Sequence, residues 1–255
     1  VDTTPPTFSG VPPPTTVEQT GPSGTSIVVP KPTASDTVSG PVTVASNAPA
    51  MFPRGLTTVT FTARDAAGNS ATTTTTVTVV DTVPPTVAIA LPQARAYLHS
   101  DVLTVSFSAT DAASGLAAGT PSARLDGVAV ANGQSISLLA LTLGTHSFVL
   151  TATDVAGNSR NQNVTFTVAA TIDSLIASVN VFAGQNKIDD SSTVKSLLAK
   201  LNDAKQAAQR GNKTTAINKL QEFIDLVRAQ SGRHITADAA QILIADAQFV
   251  IGTLR

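Results

Sequence analysis

Among its 255 residues the chain has no cysteine, no tryptophan, one tyrosine, one methionine and three histidines. Without cysteine there is no disulfide, no zinc–thiolate site and no cysteine nucleophile. Without tryptophan, and with Tyr97 as the single tyrosine, there is little from which to build a flat sugar-stacking face. Most of the 9 phenylalanines fall on inward positions of strand patterns. Glu18 and Glu222 are the two glutamates, so a two-carboxylate glycosidase site is poorly supplied. Neither a glycine-rich phosphate loop nor Gly-x-Ser-x-Gly occurs, and no Ser/His/Asp set can be placed on one module. His99, His146 and His234 have no second His or Cys at ligand spacing and read as surface or packing side chains. Charged residues make up 13% of the chain and the net charge is −1, below the usual quarter and without the basic surplus that nucleic-acid binding requires. No signal peptide, lipidation signal or membrane span is read from the sequence. The chain opens at Val1 without Met and reads as a fragment or processed form. The reading is of a non-enzyme, compatible with a catalytic domain upstream of Val1.

What the chain does have is repetition. Asp-x-Ala-Gly-Asn occurs as Asp65 to Asn69 and as Asp154 to Asn158. Each copy follows one strand-like run and precedes another. Asp2-Thr3-Thr4-Pro5-Pro6-Thr7 recurs as Asp81-Thr82-Val83-Pro84-Pro85-Thr86, and Ala-x-Asp-x-x-Ser-Gly occurs at Ala34 to Gly40 and at Ala109 to Gly115. Three landmarks in one order mark a duplicated unit. Paired prolines stiffen an extended connector. From Asp36 to Asp65 the spacing is 29 residues and from Asp111 to Asp154 it is 43. The second copy therefore carries longer strands or an extra hairpin around Asp126-Gly127 and Asn132-Gly133.

Period-two alternation supports strands in both copies. Leu103, Val105, Phe107 and Ala109 share a face, as do Phe148, Leu150 and Ala152. Regular spacing with Gly, Pro and Asn punctuation indicates antiparallel sandwiches of about 80–90 residues, the immunoglobulin size. Near residue 170 the period becomes 3.6. Leu197, Leu198, Leu201, Ala204 and Ala208 form one helical face; Ala216, Ile217, Leu220, Phe223, Ile224 and Val227 form another; Ala239, Ile242, Leu243 and Ala247 form a third. Gly211 and Gly232 sit where helices stop, Thr236 sits where one starts, and Ile172 to Phe182 suits a shorter fourth helix. The fold class is two all-β Ig-like sandwiches, 1–81 and 82–169, followed by a small all-α helical bundle, 172–255. Charge divides at the same place: residues 1–172 carry 6 basic and 9 acidic side chains, and residues 173–255 carry 10 and 8.

These residues carry three resemblances. The first module, with Asp2-Thr3-Thr4-Pro5-Pro6, Ala34-Ser35-Asp36-Thr37-Val38-Ser39-Gly40 and the run Phe52 to Asn69, resembles a hyalin repeat (HYR) without the cysteines of animal copies. The second, through Asp81-Thr82-Val83-Pro84-Pro85 and Asp154 to Asn158, resembles bacterial Ig-like domains. The third, through Ser196 to Leu201, Arg210-Gly211-Asn212, Ala216 to Leu220, Phe223-Ile224 and Val227 to Gly232, resembles the FIMAH-type helical module at the C-terminal end of secreted bacterial multidomain proteins. The resemblances imply an extracellular or cell-surface bacterial protein and no enzyme.

The acidic landmarks are the sharpest chemical feature. In an Ig-type sandwich the first strand starts at the pole where the B–C and F–G loops lie. Asp81, Asp111, Asp154 and Asn158 should therefore converge at one end of the second module, and Asp2, Asp36, Asp65 and Asn69 at one end of the first. Calcium takes six to eight hard oxygen ligands, and such a pole could supply several. The alternative is that Asp and Asn cap tight turns locally while Gly-Asn supplies the positive-φ position, with no ion. Lys195, Lys200, Lys205, Arg210, Lys213 and Lys219 form a solvated helical face or a docking face for an acidic partner. Two functions stay open. One is a spacer or stalk joining other domains of the parent chain, with a helical terminal module. The other is an adhesion or binding module for a surface glycan, matrix or protein.

Overall fold

The structure, a computed structural model, describes residues 1–255. It is β-stranded from Thr7 to Ala169 and helical from Ile172 to Leu254, so the expected sandwich-then-helix order is what is found. By internal contacts the chain forms two units.

The first unit contains Val1–Val87 together with two loop-bearing segments of the second sandwich, Ala109–Pro121 and Thr151–Asn161. Its sandwich has seven strands: β1 (Thr7–Ser9), β2 (Thr15–Glu18), β3 (Thr33–Asp36), β4 (Gly40–Val42), β5 (Val44–Ser46), β6 (Gly55–Arg64) and β7 (Ser70–Val80). One sheet has the order β1-β3-β4 and the other β2-β7-β6-β5. β2 runs parallel to β7, and β6 and β7 form a ten-pair antiparallel hairpin from Gly55↔Val79 to Arg64↔Ser70. Alternation decides what is buried. Val59, Phe61 and Ala63 on β6 and Val77 and Val79 on β7 point into the core with Ala34, Val44 and Phe52, while most of the interleaved threonines face outward and gain from the β-branched fit to a pleated surface. Burying each of the two fully enclosed phenylalanines, Phe52 and Phe61, contributes about 1.5–3 kcal/mol. The backbone at Thr25 exchanges two 2.9 Å hydrogen bonds with Phe52. This close approach requires glycine at position 24, where φ is +118° and a Cβ would lie 1.9 Å from the Phe52 carbonyl oxygen.

The second unit contains Ala88–Ser108, Ser122–Leu150 and Gln162–Arg255. Its strands are β8 (Thr86–Leu91), β9 (Ala96–Leu98), β10 (Val102–Thr104), β11 (Ser106–Thr110), β12 (Ser122–Leu125), β13 (Val128–Val130), β14 (Ser135–Ser137), β15 (Gly144–Thr153) and β16 (Ser159–Ala169). β8, β11, β15 and β16 extend past the limits of this unit into segments of the first. The main sheet has the order β13-β12-β15-β16-β9, and β10 pairs with β14. The extra length of the second repeat is the β12–β13 hairpin, with Leu125 opposite Val128. Asp126 (φ +48°) and Gly127 (φ +83°) form its two-residue turn, the geometry that Asp-Gly favours.

Four helices follow: α1 (Ile172–Gly184), α2 (Ser191–Gln209), α3 (Lys213–Gln230) and α4 (Ala237–Leu254). Thr171 and Ser174 make a reciprocal capping box on α1, Asp190 caps α2, and Asn212 caps α3. Gly211 and Gly232 adopt φ of +76° and +75° just past the helix ends, as expected. α4 does begin after Thr236, but the Thr236 hydroxyl makes no cap bond. One continuous core joins Leu175, Val179, Phe182, Leu197, Leu201, Leu220, Phe223, Val227, Leu243 and Ala247 of the helices to Leu139 and Ala170 of the β region. α4 has the length and mean hydropathy (1.2) of a membrane span, but it is amphipathic here, burying Ala239, Ala240, Leu243, Asp246, Ala247, Val250 and Ile251.

Candidate functional site: two acidic poles

The two Asp-x-Ala-Gly-Asn turns fold identically. Asp65 N–H donates to the Asn69 carbonyl at 3.0 Å, and Asp154 N–H to the Asn158 carbonyl at 3.0 Å. The Asp65 Oδ1 accepts from the Asn69 N–H and its Oδ2 from the Asn69 side-chain amide, both at 2.8 Å; Asp154 and Asn158 repeat both bonds at 2.8 Å. The glycines, Gly68 and Gly157, sit at φ +97° and +99°, a region costly to other residues.

The aspartate that opens each repeat makes its own turn. Asp2 Oδ1 accepts from the Thr4 N–H at 3.0 Å, and Asp81 Oδ1 from the Val83 N–H at 3.1 Å. Asn69 then donates to the Asp2 carbonyl at 3.2 Å and Asn158 to the Asp81 carbonyl at 3.0 Å. The asparagines expected among the oxygen ligands are thus donors through their amide nitrogens. A carboxylate only accepts, which settles which end of each amide faces it. Asn69 and Asn158 clamp the opening strand to the F–G turn.

The third aspartates differ. Asp36 Oδ1 accepts from the Val38 and Ser39 N–H groups, both at 2.8 Å, and these donors hold its carboxyl below the usual range. Asp111 Oδ1 accepts from the Gly115 N–H at 2.7 Å. The sequence-derived convergence holds at both poles: oxygens of Asp2, Asp36 and Asp65 lie within 4.8 Å of one another, and so do those of Asp81, Asp111 and Asp154. Burial pushes the Asp154 carboxyl up, but the Asn158 side chain and three backbone N–H groups outweigh it, leaving a lowered value.

Between the sandwiches, the link is tied from several sides. Asp81 Oδ2 accepts from the Ser114 N–H at 3.2 Å. Glu18 accepts from both the N–H and the hydroxyl of Thr82. The Gln19 amide donates to the Gly21 carbonyl at 2.8 Å and the Ala113 carbonyl at 3.1 Å. All of these residues lie in the first unit.

The histidines are packing or surface side chains, as the sequence reads them, but their acidic partners were not foreseen. His99 is 3% exposed; its Nδ1 lies 2.5 Å from Asp246 Oδ1 and its Nε2 lies 3.1 Å from the Leu141 carbonyl. His146 likewise bridges Asp126 Oδ2 and the Thr142 carbonyl. Each ring lies between a carboxyl and a backbone carbonyl; at His99, burial draws the pKa down, but Asp246 and the Leu141 carbonyl outweigh it and the net value is raised. The Asp126 carboxyl, raised by burial, is lowered overall by the Ser147 N–H and by His146. Asp246, spaced with Leu243, Ala247 and Val250 on the buried stripe of α4, was the legible signal: an acidic residue on an apolar face needs a partner. On the helical face, Lys200 and Lys219 pair with Glu222 and Lys205 pairs with Asp173, so half of the basic row is interleaved with acidic side chains.

Residues 1–79 match the HYR domain family and residues 172–252 match the FIMAH domain family. A stretch of 96 residues is 41% identical to hyalin of Lytechinus variegatus, covering 35% of this chain and 18% of that protein. Another of 95 residues is 43% identical to hyalin of Strongylocentrotus purpuratus, covering 35% of this chain and 8% of that protein. The chain therefore spans under a fifth of the curated relatives it matches. Among solved structures, the fibronectin(III)-like modules of Clostridium thermocellum CbhA align at 14% identity and a TM-score of 0.28, over 64% of this chain and 93% of that one. Mouse cadherin-23 EC22-24 aligns at 17% and 0.29, over 66% and 68%.

Proposed function

We propose that this chain, with a HYR domain at residues 1–79, an Ig-like sandwich after it and a FIMAH domain at residues 172–252, is a non-catalytic extracellular accessory region of a secreted or surface bacterial protein. In this reading the sandwiches act as a stiff spacer and the helical module closes the array. HYR and FIMAH domains are non-catalytic module types, and the FIMAH-type module supports the secreted bacterial assignment. The observation that carries the spacer reading is the tied link. Between Val80, the last residue of β7, and Thr86, the first of β8, Asp81 is held by Asn158 and Ser114, Thr82 is held by Glu18, and Gln19 reaches Ala113. Two prolines, Pro84 and Pro85, stiffen what remains. A flexible linker would have no such bonds and a Gly/Ser composition.

The absence of cysteine makes the test clean. Spin labels at Val28→Cys and Val155→Cys, both exposed positions of the first unit, report the distance across the link. The spacer reading expects one narrow distance distribution that broadens in the Gln19→Ala/Asn158→Ala background. A broad distribution in the otherwise unaltered chain would refute it.

A further inference from the structure

We infer that the pole formed by Asp2, Asp36 and Asp65 binds a calcium ion. The three carboxylates place oxygens within 4.8 Å of one another, about twice a calcium–oxygen distance of ~2.4 Å, so that two of them can sit on opposite sides of one ion. The cluster also contains what a turn cannot use. Asp36 is 7% exposed, and its Oδ2 is buried with no hydrogen-bond partner; the Oδ2 of Asp2 is buried and unpartnered as well. Buried polar atoms are nearly always satisfied, and buried charges are paired or bound to metal. None of the protein's ion pairs involves Asp2, Asp36 or Asp65. Arg64 lies beside the turn at Gly68 but makes no ion pair with them. The Thr4, Val38 and Ser39 N–H groups fix the Oδ1 atoms of Asp2 and Asp36, so the two carboxylates with free Oδ2 atoms are held in place rather than mobile.

The donor set is all oxygen, with no His or Cys, and this selects a hard cation. Calcium accepts an irregular shell completed by water and carbonyls, whereas magnesium demands near-octahedral ligands at about 2.0–2.1 Å, tighter than this spread. The triangle of Asp81, Asp111 and Asp154 repeats the geometry, but none of its carboxylate oxygens is both buried and unpartnered. The second observation that carries the first pole is therefore lacking at this one.

Calcium binding by the full chain is measured by equilibrium dialysis and by thermal melting with calcium and with chelator. Asp36→Asn is the decisive variant. Its Oδ1 still accepts from Val38 and Ser39, so the turn survives, and its amide takes the place of the orphaned oxygen. The expected result is one saturable site in the range of extracellular modules, a Kd of roughly 10⁻⁴ to 10⁻³ M, weakened at least tenfold by Asp36→Asn and unchanged by Asp111→Asn. The calcium-dependent rise in melting temperature disappears in Asp36→Asn. No saturable binding up to about ten times that Kd, equal affinity in Asp36→Asn, or tighter binding of magnesium than calcium would overturn the assignment. The spacer reading is read from the distance across the Asp81 link, so either can fail without the other.

Discussion

His99→Leu should weaken the second unit more than the loss of an ordinary surface-to-core contact, because it strands a buried carboxyl. Asp246 is 0% exposed, and its Oδ2 already lacks a partner. Removing the imidazole leaves the buried Asp246 carboxyl without its hydrogen-bond partner. Breaking a buried pair from one side costs about 3–5 kcal/mol. For a unit of this size that corresponds to a fall in melting temperature on the order of 10 °C. His99→Leu/Asp246→Leu removes both partners and fills the space with apolar atoms, so it should recover most of the loss. Guanidinium denaturation followed by the helical circular-dichroism signal measures all three proteins. The pair also carries a pH signature. Burial draws the His99 pKa down, but the Asp246 carboxylate and the Leu141 carbonyl outweigh it, and the net value is raised. A raised folded pKa makes the contribution complete below the unfolded histidine value of about 6.5 and removes it as pH rises through the folded value. Burial raises the Asp246 carboxyl, with His99 opposing, so that shift too favours the protonated side. The denaturation midpoint should fall from near pH 6 toward pH 9 in the unaltered chain and less in the double Leu variant. If His99→Leu unfolds at the unaltered midpoint, or the double variant is as weak as the single, the buried-pair reasoning is wrong.

Gly24→Ala forces a Cβ to within 1.9 Å of the Phe52 carbonyl at a φ of +118°. Backbone strain alone costs about 1–3 kcal/mol, and hydrogen exchange should show the Thr25–Phe52 pairing opening while the helices keep their protection. Asn158→Ala removes the donor to Asp154 and to the Asp81 carbonyl and should cost roughly 1–3 kcal/mol. Because Asn158 depresses the Asp154 carboxyl, that stabilisation is present above the ordinary value of 3.8 and is lost as pH falls through the lowered one. Acid titrations of the two proteins should therefore converge at low pH.

Much of the architecture could be read directly because it is local. The turn Asp65 to Asn69 closes through bonds four residues apart, Asp126-Gly127 specifies its own hairpin, and Gly211 and Gly232 end helices by adopting φ values other residues avoid. The convergence of Asp2, Asp36 and Asp65 was also legible, once the repeat had shown which strand ends share a pole. The roles at that pole were not. Whether Asn69 offers oxygen or nitrogen, and whether an aspartate oxygen keeps a donor or loses it to burial, depends on atoms from three loops at once.

The sequence alone determined the two sandwiches, their duplicated turns and the switch from period 2 to period 3.6 near residue 170, since alternation and glycine placement act over a few residues. The tertiary structure alone decided the His99–Asp246 pair, whose members stand 147 residues apart, and the unpartnered Oδ2 of Asp36. Both are consequences of desolvation, which is a property of everything packed around a group and not of its neighbours in the chain.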